Sequence, residues 1–168
     1  MLNLIRFRGD AFVQETDALE VLADDAATPE SGTLLLTLDR FHAEGPAHLD
    51  DGRRVGVLLQ PGDDLQALAP YVHRLALVAL AFPKFRDGRA YSTAVLLRTR
   101  LGFTGEIRAV GDVLREQARE MVRCGFDAFA PADGASAQEW AAAAGRYRHV
   151  YQRAADNRPP AFVEREGG

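Results

Sequence analysis

The sequence predicts an α/β protein with a mainly parallel sheet of βα units, barrel-fragment or Rossmann-like, carrying a small irregular N-terminal extension. Three observations predict it. Val55 to Gln60 (VGVLLQ) and Leu75 to Phe82 (LALVALAF) are continuous apolar runs closed by Pro61-Gly62-Asp63 and by Pro83, the pattern of strands buried on both faces. Helical spacing alternates with such runs over short links, so right-handed crossovers into a parallel sheet are expected. With 168 residues and 47% hydrophobic content the chain can bury one sizeable core, yet it is short of the roughly 250 residues of a closed (β/α) barrel.

Residues 1 to 50 read as an extension packed on the core, with a short helix expected over Asp17 to Ala23 and a strand over Thr33 to Leu38. Asp24 to Gly32 and Ala43 to Arg54 hold Pro and Gly among small and acidic residues and read as loops. The core domain is expected from 51 to 157. After the Val55 strand, Asp63 and Asp64 can cap a helix carrying Leu65, Leu68 and Val72, which Pro70 would kink or delay. After the Leu75 strand, Ala90, Ala94, Leu97 and Leu101 fall on one helical face, and Gly102-Phe103 fits a left-handed cap with its apolar contact. Gly105 to Val110 reads as the next strand. A helix starting at Asp112 then faces inward through Leu114, Ala118 and Met121 and stops at Gly125-Phe126, the same Gly-Phe device. Asp127 to Ala130 gives one more strand. Ser136 and Glu139 form a capping box for a helix facing inward through Trp140, Ala144, Tyr147 and Tyr151. Beyond Asn157 the Pro159-Pro160 tail, residues 158 to 168, is expected to fray.

Charge divides the chain unevenly. Residues 1 to 83 carry six Arg against thirteen Asp or Glu, whereas Lys84 to Asp127 carry nine basic residues against six acidic ones. The basic third is the expected seat of an anionic ligand. The total of −4, without a lysine-rich patch, argues against nucleic-acid binding, which needs clustered phosphate neutralisation. Cys124 is the sole cysteine, which excludes an intrachain disulfide, a Cys-x-x-Cys pair and an all-cysteine metal site. His42, His48, His73 and His149 show no ligand spacing, so no metal site is expected. No apolar run is long enough for a membrane span, and a cytoplasmic protein is the default expectation. GxGxxG, GxxxxGK[ST] and Gly-x-Ser-x-Gly are all absent, which removes the usual sequence grounds for a dinucleotide enzyme, a P-loop NTPase or a serine hydrolase.

In a parallel sheet the loops after the strands share one edge, where ligands bind. Gln60 to Asp63, Pro83 to Arg89, Gly111-Asp112 and Ala130 to Asp133 are expected to converge there. Lys84, the only lysine among twenty basic residues, stands with Arg86 and Arg89 where a strand hands over to a helix. The helix start would aim free N–H groups at an anion, and Lys84 and Arg89 would add full charges. Alternatively Lys84 and Arg86 are merely solvated, and Asp87 caps the helix and pairs with Arg89. Tyr91 and Ser92 can orient a ligand or serve as packing and capping groups. Glu106 and Arg108, two apart in a strand, point to one face, which either meets solvent or lines a polar pocket. Asp112 can cap a helix or act in acid–base chemistry. No catalytic residue and no cofactor can be assigned. The candidate ligand set is therefore Lys84, Arg86, Asp87, Arg89, Tyr91, Ser92, Glu106, Arg108 and Asp112.

The motifs Phe82 to Phe85, Asp87-Gly88-Arg89, Tyr91-Ser92, Leu97 to Arg100, Gly105 to Val113 and Arg123 to Asp127 together resemble the core of a bacterial family, domain of unknown function 934. Members of that family are described as candidate oxidoreductases involved in sulfite reduction. The resemblance implies an accessory role in assimilatory sulfate or sulfite reduction, with a small oxyanion or sulfur metabolite as ligand and sulfite reductase as partner. It supplies no catalytic residues. A second reading is a non-catalytic module docking on the reductase through the charged helix 112 to 124, with Arg115, Arg119 and Arg123. A third is an independent enzyme with Asp112 or Asp87 as acid–base group and Lys84 as electrophile. An open sheet of this size also allows a homodimer through its exposed edge.

Overall fold

The computed structural model describes residues 2–84, 86–146, 154, 155, 161 and 163. Eight strands form one mixed sheet: β1 (Leu2–Arg8), β2 (Ala11–Asp17), β3 (Val21–Leu22), β4 (Leu34–Thr37), β5 (Val55–Leu59), β6 (Leu77–Phe82), β7 (Glu106–Gly111) and β8 (Ala128–Phe129). Their order is β2-β1-β8-β7-β6-β5-β4-β3. From β3 to β8 the strands are parallel and sit side by side in chain order, while β1 pairs antiparallel with both β8 and β2.

That order decides where the helices lie. Right-handed crossovers that always step in the same direction return on the same side of the sheet, as in a barrel and unlike a doubly wound fold. Accordingly α1 (Leu38–Asp50), α2 (Arg89–Thr99), α3 (Ala118–Cys124) and α4 (Ala137–Ala144) share one core. Phe41, Ala94, Leu97, Met121 and Trp140 pack there against one parity of strand residues, including Leu36, Val57, Val78, Leu80 and Ile107. The other parity, Leu35, Leu77 and Ala79 with Leu58 and Val110, forms a separate apolar patch on the opposite face. The sheet does not close.

Several local expectations hold for the stated reasons. Gly102 and Gly125 take φ of 61° and 102°, and the Phe103 and Phe126 N–H groups donate to Leu97 O (2.9 Å) and Met121 O (3.0 Å). Ser136 and Glu139 form their capping box, with Glu139 Oε2 accepting from Ser136 N at 2.9 Å. Pro70 limits the segment after β5 to two 3-10 turns, Leu65–Leu68 and Val72–Arg74, the first capped by Asp64. Tyr147 and Tyr151, His149, Asn157 and the Pro159-Pro160 pair lie outside the described residues.

Other expectations are corrected. No helix spans Asp17 to Ala23: the Asp17 carboxylate accepts Leu19 N at 2.8 Å in a tight turn, and Val21 and Leu22 pair with Leu35 and Leu36. Where Ala43 to Arg54 reads as a loop, α1 runs through both Gly45 and Pro46. Phe41, Gly45 and Leu49 make an i, i+4 stripe buried on the sheet, and Thr37 caps the first turn. This packing outweighs the roughly 3 kcal/mol that an interior proline costs. Glycine is required at 45, because a Cβ there would lie 2.1 Å from the Phe41 ring. Asp112 does not start its helix. Its N–H donates to Phe82 O at 2.7 Å, and the helical turns begin only at Arg115, where Gln117 Oε1 accepts Leu114 N at 3.0 Å.

Candidate functional site

The expected site residues fall into two groups at opposite ends of the parallel strands. At the carboxyl edge, the Pro83 to Gly88 loop joins β6 to α2 and carries Lys84 and Arg86, both exposed. Asp87 lies one residue ahead of the N-cap Gly88 and closes a short turn: Oδ1 accepts Arg89 N at 3.2 Å, and Arg89 grips the same carboxylate through Nε (2.9 Å) and Nη2 (2.7 Å). The Arg89 bonds hold the Asp87 carboxyl below its ordinary value and raise Arg89 in turn. Arg89 is thus already occupied. Lys84 and Arg86 have no ion-pair partner among the described residues.

Ser92 is exposed one turn along α2, whereas Tyr91 turns toward the core. Its ring meets Phe82 edge-on at 5.4 Å and Phe126 at 6.3 Å, and its hydroxyl is hydrogen-bonded to Gln117. Burial pushes the phenol up to about 12, so Tyr91 is a packing group between α2 and α3 and holds its proton at neutral pH. Asp112 stands at the same edge, half-buried and already engaged. Gly111 brings β7 close to β6: at φ 96° a Cβ would meet Phe82 O at 2.5 Å. A small groove of about 10 Å³ lies at this edge beside Leu59, Gln60, Asp63 and Thr93.

Glu106 and Arg108 are elsewhere. Both lie on the helix-free face of β7, and the Arg108 guanidinium turns back to the amino end of the strands, where Nε binds Glu106 Oε1 and Nη2 binds Asp17 Oδ2, each at 2.7 Å. Arg6 pairs with Glu106, with Glu15 at 2.8 Å and with Asp17 at 3.5 Å, and Arg8 reaches Glu15 at 2.7 Å. Three guanidinium groups thus face three carboxylates. Burial raises Asp17, but the Leu19 N–H, Arg108 and Arg6 outweigh it and hold the carboxyl below its ordinary value. The network borders a cavity of about 560 Å³ that Arg54 and Thr33 also line. Of the two readings open for Glu106 and Arg108, the polar pocket is the one realised. Arg108 therefore stands apart from Lys84 and Arg89, with which the candidate ligand set groups it: its side chain is 3% exposed and held by carboxylates at the other end of the sheet.

Arg6, Glu15 and Asp17 were not singled out from sequence, although a signal was present. Leu2 to Asp17 alternates around Gly9-Asp10, a two-residue hairpin turn, so Arg6 and Arg8 share a face, as do Glu15 and Asp17. Among the described residues no cluster of His, Cys, Asp and Glu could hold a metal ion, and no helix is long and apolar enough to cross a membrane.

A family model described as "Bacterial protein of unknown function (DUF934)" matches residues 56–162. The chain belongs to this family. No curated protein matches it. Several residues of the motifs quoted above prove to hold the family core together. Arg98 donates to the carbonyls of Phe103 (2.7 Å), Gly105 (2.8 Å) and Gly125 (2.9 and 3.0 Å) and pairs with Asp127. Asp127 in turn accepts Ile107 N at 2.9 Å. Burial raises its carboxyl, opposed by that N–H and by Arg98. One side chain so joins the ends of α2 and α3 to the starts of β7 and β8.

Proposed function

We propose that this protein is an accessory component of sulfite reduction that binds a small oxyanion at the carboxyl edge of its parallel sheet, with Lys84 and Arg86 as the recognising cations. The observation carrying this reading is that, of the basic residues expected at the site, these two alone are exposed and have no ion-pair partner among the described residues. The start of α2 adds a positive dipole end beside them. The link to sulfite reduction comes from the family resemblance, as does an oxidoreductase role. A cytoplasmic location accords with that pathway.

Docking on the reductase through Arg115, Arg119 and Arg123 has less support. Arg115 is tied to Glu139 at 3.0 Å and lies 3.7 Å from Asp133, and the other two already have partners. The test of the favoured reading is a thermal-shift series with sulfite, sulfate and a phosphorylated nucleotide. Sulfite or sulfate should raise the Tm, and Lys84→Ala with Arg86→Ala should remove the shift. An unchanged Tm across the series would overturn it.

A further inference from the structure

The two edges of the sheet are built differently. β3 is an edge of two residues, and so short an edge protects itself. β2 is an edge of seven residues, AFVQETD, with no proline and no lysine to blunt it. Its outward groups can be identified. Gly9-Asp10 closes the hairpin with Arg8 opposite Ala11, so in the antiparallel ladder Ala11, Val13, Glu15 and Asp17 exchange hydrogen bonds with β1. Phe7 N confirms the alternation from the other side, because it donates to Asp127 O at 2.7 Å, away from β2. The N–H and C=O groups of Phe12, Gln14 and Thr16 therefore point out of the sheet, and among the described residues nothing accepts or donates to them. β2 is also held extended in the single chain, since the Phe12 ring lies 6.1 Å from Phe129 and 6.2 Å from Trp140 in the core.

We propose that β2 pairs antiparallel with β2 of a second copy of this chain, on a two-fold axis passing through Gln14. A strand pairing with itself must be self-complementary, and this register is. It places Phe12 opposite Thr16 of the other copy and Gln14 opposite its own equivalent, so all three outward-facing residues find partners. It also sets Glu15 opposite Val13 and Asp17 opposite Ala11, with no like charges directly facing, whereas an axis at Glu15 would oppose two carboxylates. Val13, one of two large apolar residues that are exposed among the described ones, is covered in the process. The result is one continuous sheet running through both copies.

Sedimentation of the full chain over micromolar to submillimolar concentration tests this. The mass should rise to twice the 18.4 kDa of one chain. Gln14→Pro removes an outward N–H that bonds nothing among the described residues, and should return the mass to one chain while circular dichroism stays unchanged. Gln14→Lys gives up one exposed side-chain bond, from Gln14 Nε2 to Asn3 Oδ1 at 3.0 Å, and opposes two like charges on the axis. It should weaken association even if the proline variant folds poorly. A wild-type protein that stays at 18.4 kDa throughout, or a dimer that survives both substitutions, would overturn the proposal.

Discussion

The basic residues at the two ends of the parallel strands differ in what surrounds them. At the amino end Arg108 is buried and answered by Asp17 and Glu106, and Arg6 and Arg8 complete a network whose charges balance. At the carboxyl end Lys84 and Arg86 stand in solvent with no carboxylate of their own among the described residues. Arg108 looks like Lys84 and Arg86 as letters in one basic segment. A guanidinium enclosed by its own counter-charges stabilises a fold, whereas an unanswered one at a helix start is available to a ligand. Arg89 lies between these cases, at the ligand edge yet gripped by Asp87.

The sharpest way to break this contrast is to remove Arg108. Arg108→Ala leaves Asp17 and Glu106 with Arg6 as their one shared cation beneath the sheet face, and the variant should lose about 3 kcal/mol in urea unfolding, near the low end for breaking a buried pair because Arg6 remains and a polar cavity adjoins. Any oxyanion-induced Tm shift should persist in the folded fraction. Acid should shrink the loss. Asp17 has a native value below the ordinary 3.8, so its contribution to stability is complete above 3.8 and disappears as pH falls through the lower native value. The gap between wild type and Arg108→Ala should therefore narrow as unfolding is followed below pH 3.8. A constant gap would show that Arg108 acts through packing of its stem.

These tests also show how much was legible. β5 and β6 were readable because their runs are apolar on both faces, and both Gly-Phe stops because only a left-handed residue ends a helix that way. α1 was hidden by Gly45-Pro46, residues that punctuate chains unless a packed stripe such as Phe41, Gly45 and Leu49 overrides them. For the candidate residues, local spacing was legible but their grouping in the fold was not. The spacing of Glu106 and Arg108 fixed their common face, yet nothing local to β7 indicated that Asp17, ninety-one positions away, would draw Arg108 toward the amino end. The structural role of motif residues such as Arg98 and Asp127 was hidden for a similar reason: their carbonyl and N–H partners become neighbours only when the sheet forms.

Tyr91 tests the boundary between the two kinds of role with a smaller effect. Tyr91→Phe keeps the ring against Phe82 and Phe126 but removes the hydroxyl bonded to Gln117. Urea unfolding should register a loss of about 1 kcal/mol, the usual net worth of one hydrogen bond. Ligand response should not change. A lost response with unchanged stability would instead make the hydroxyl a ligand group.

The smallest stability effect belongs to Lys84→Ala with Arg86→Ala. Exposed side chains with no partner contribute little to folding, so unfolding free energy should stay within about 0.5 kcal/mol of wild type. Removing two like charges from a basic loop relieves repulsion as readily as it forfeits any contact, so the sign of that change carries no weight. What carries weight is the pairing of near-neutral stability with a vanished response to sulfite or sulfate, because a structural residue would show the reverse. Salt dependence adds a second reading of the same variant. Ligand capture by solvent-exposed cations weakens as ionic strength rises, since the Debye length shrinks from about 30 Å at 0.01 M to about 10 Å at 0.1 M. A wild-type shift that is strong in dilute buffer and fades with added sodium chloride is expected of Lys84 and Arg86. A shift indifferent to salt would point away from this loop and toward the enclosed arginines at the other end of the sheet.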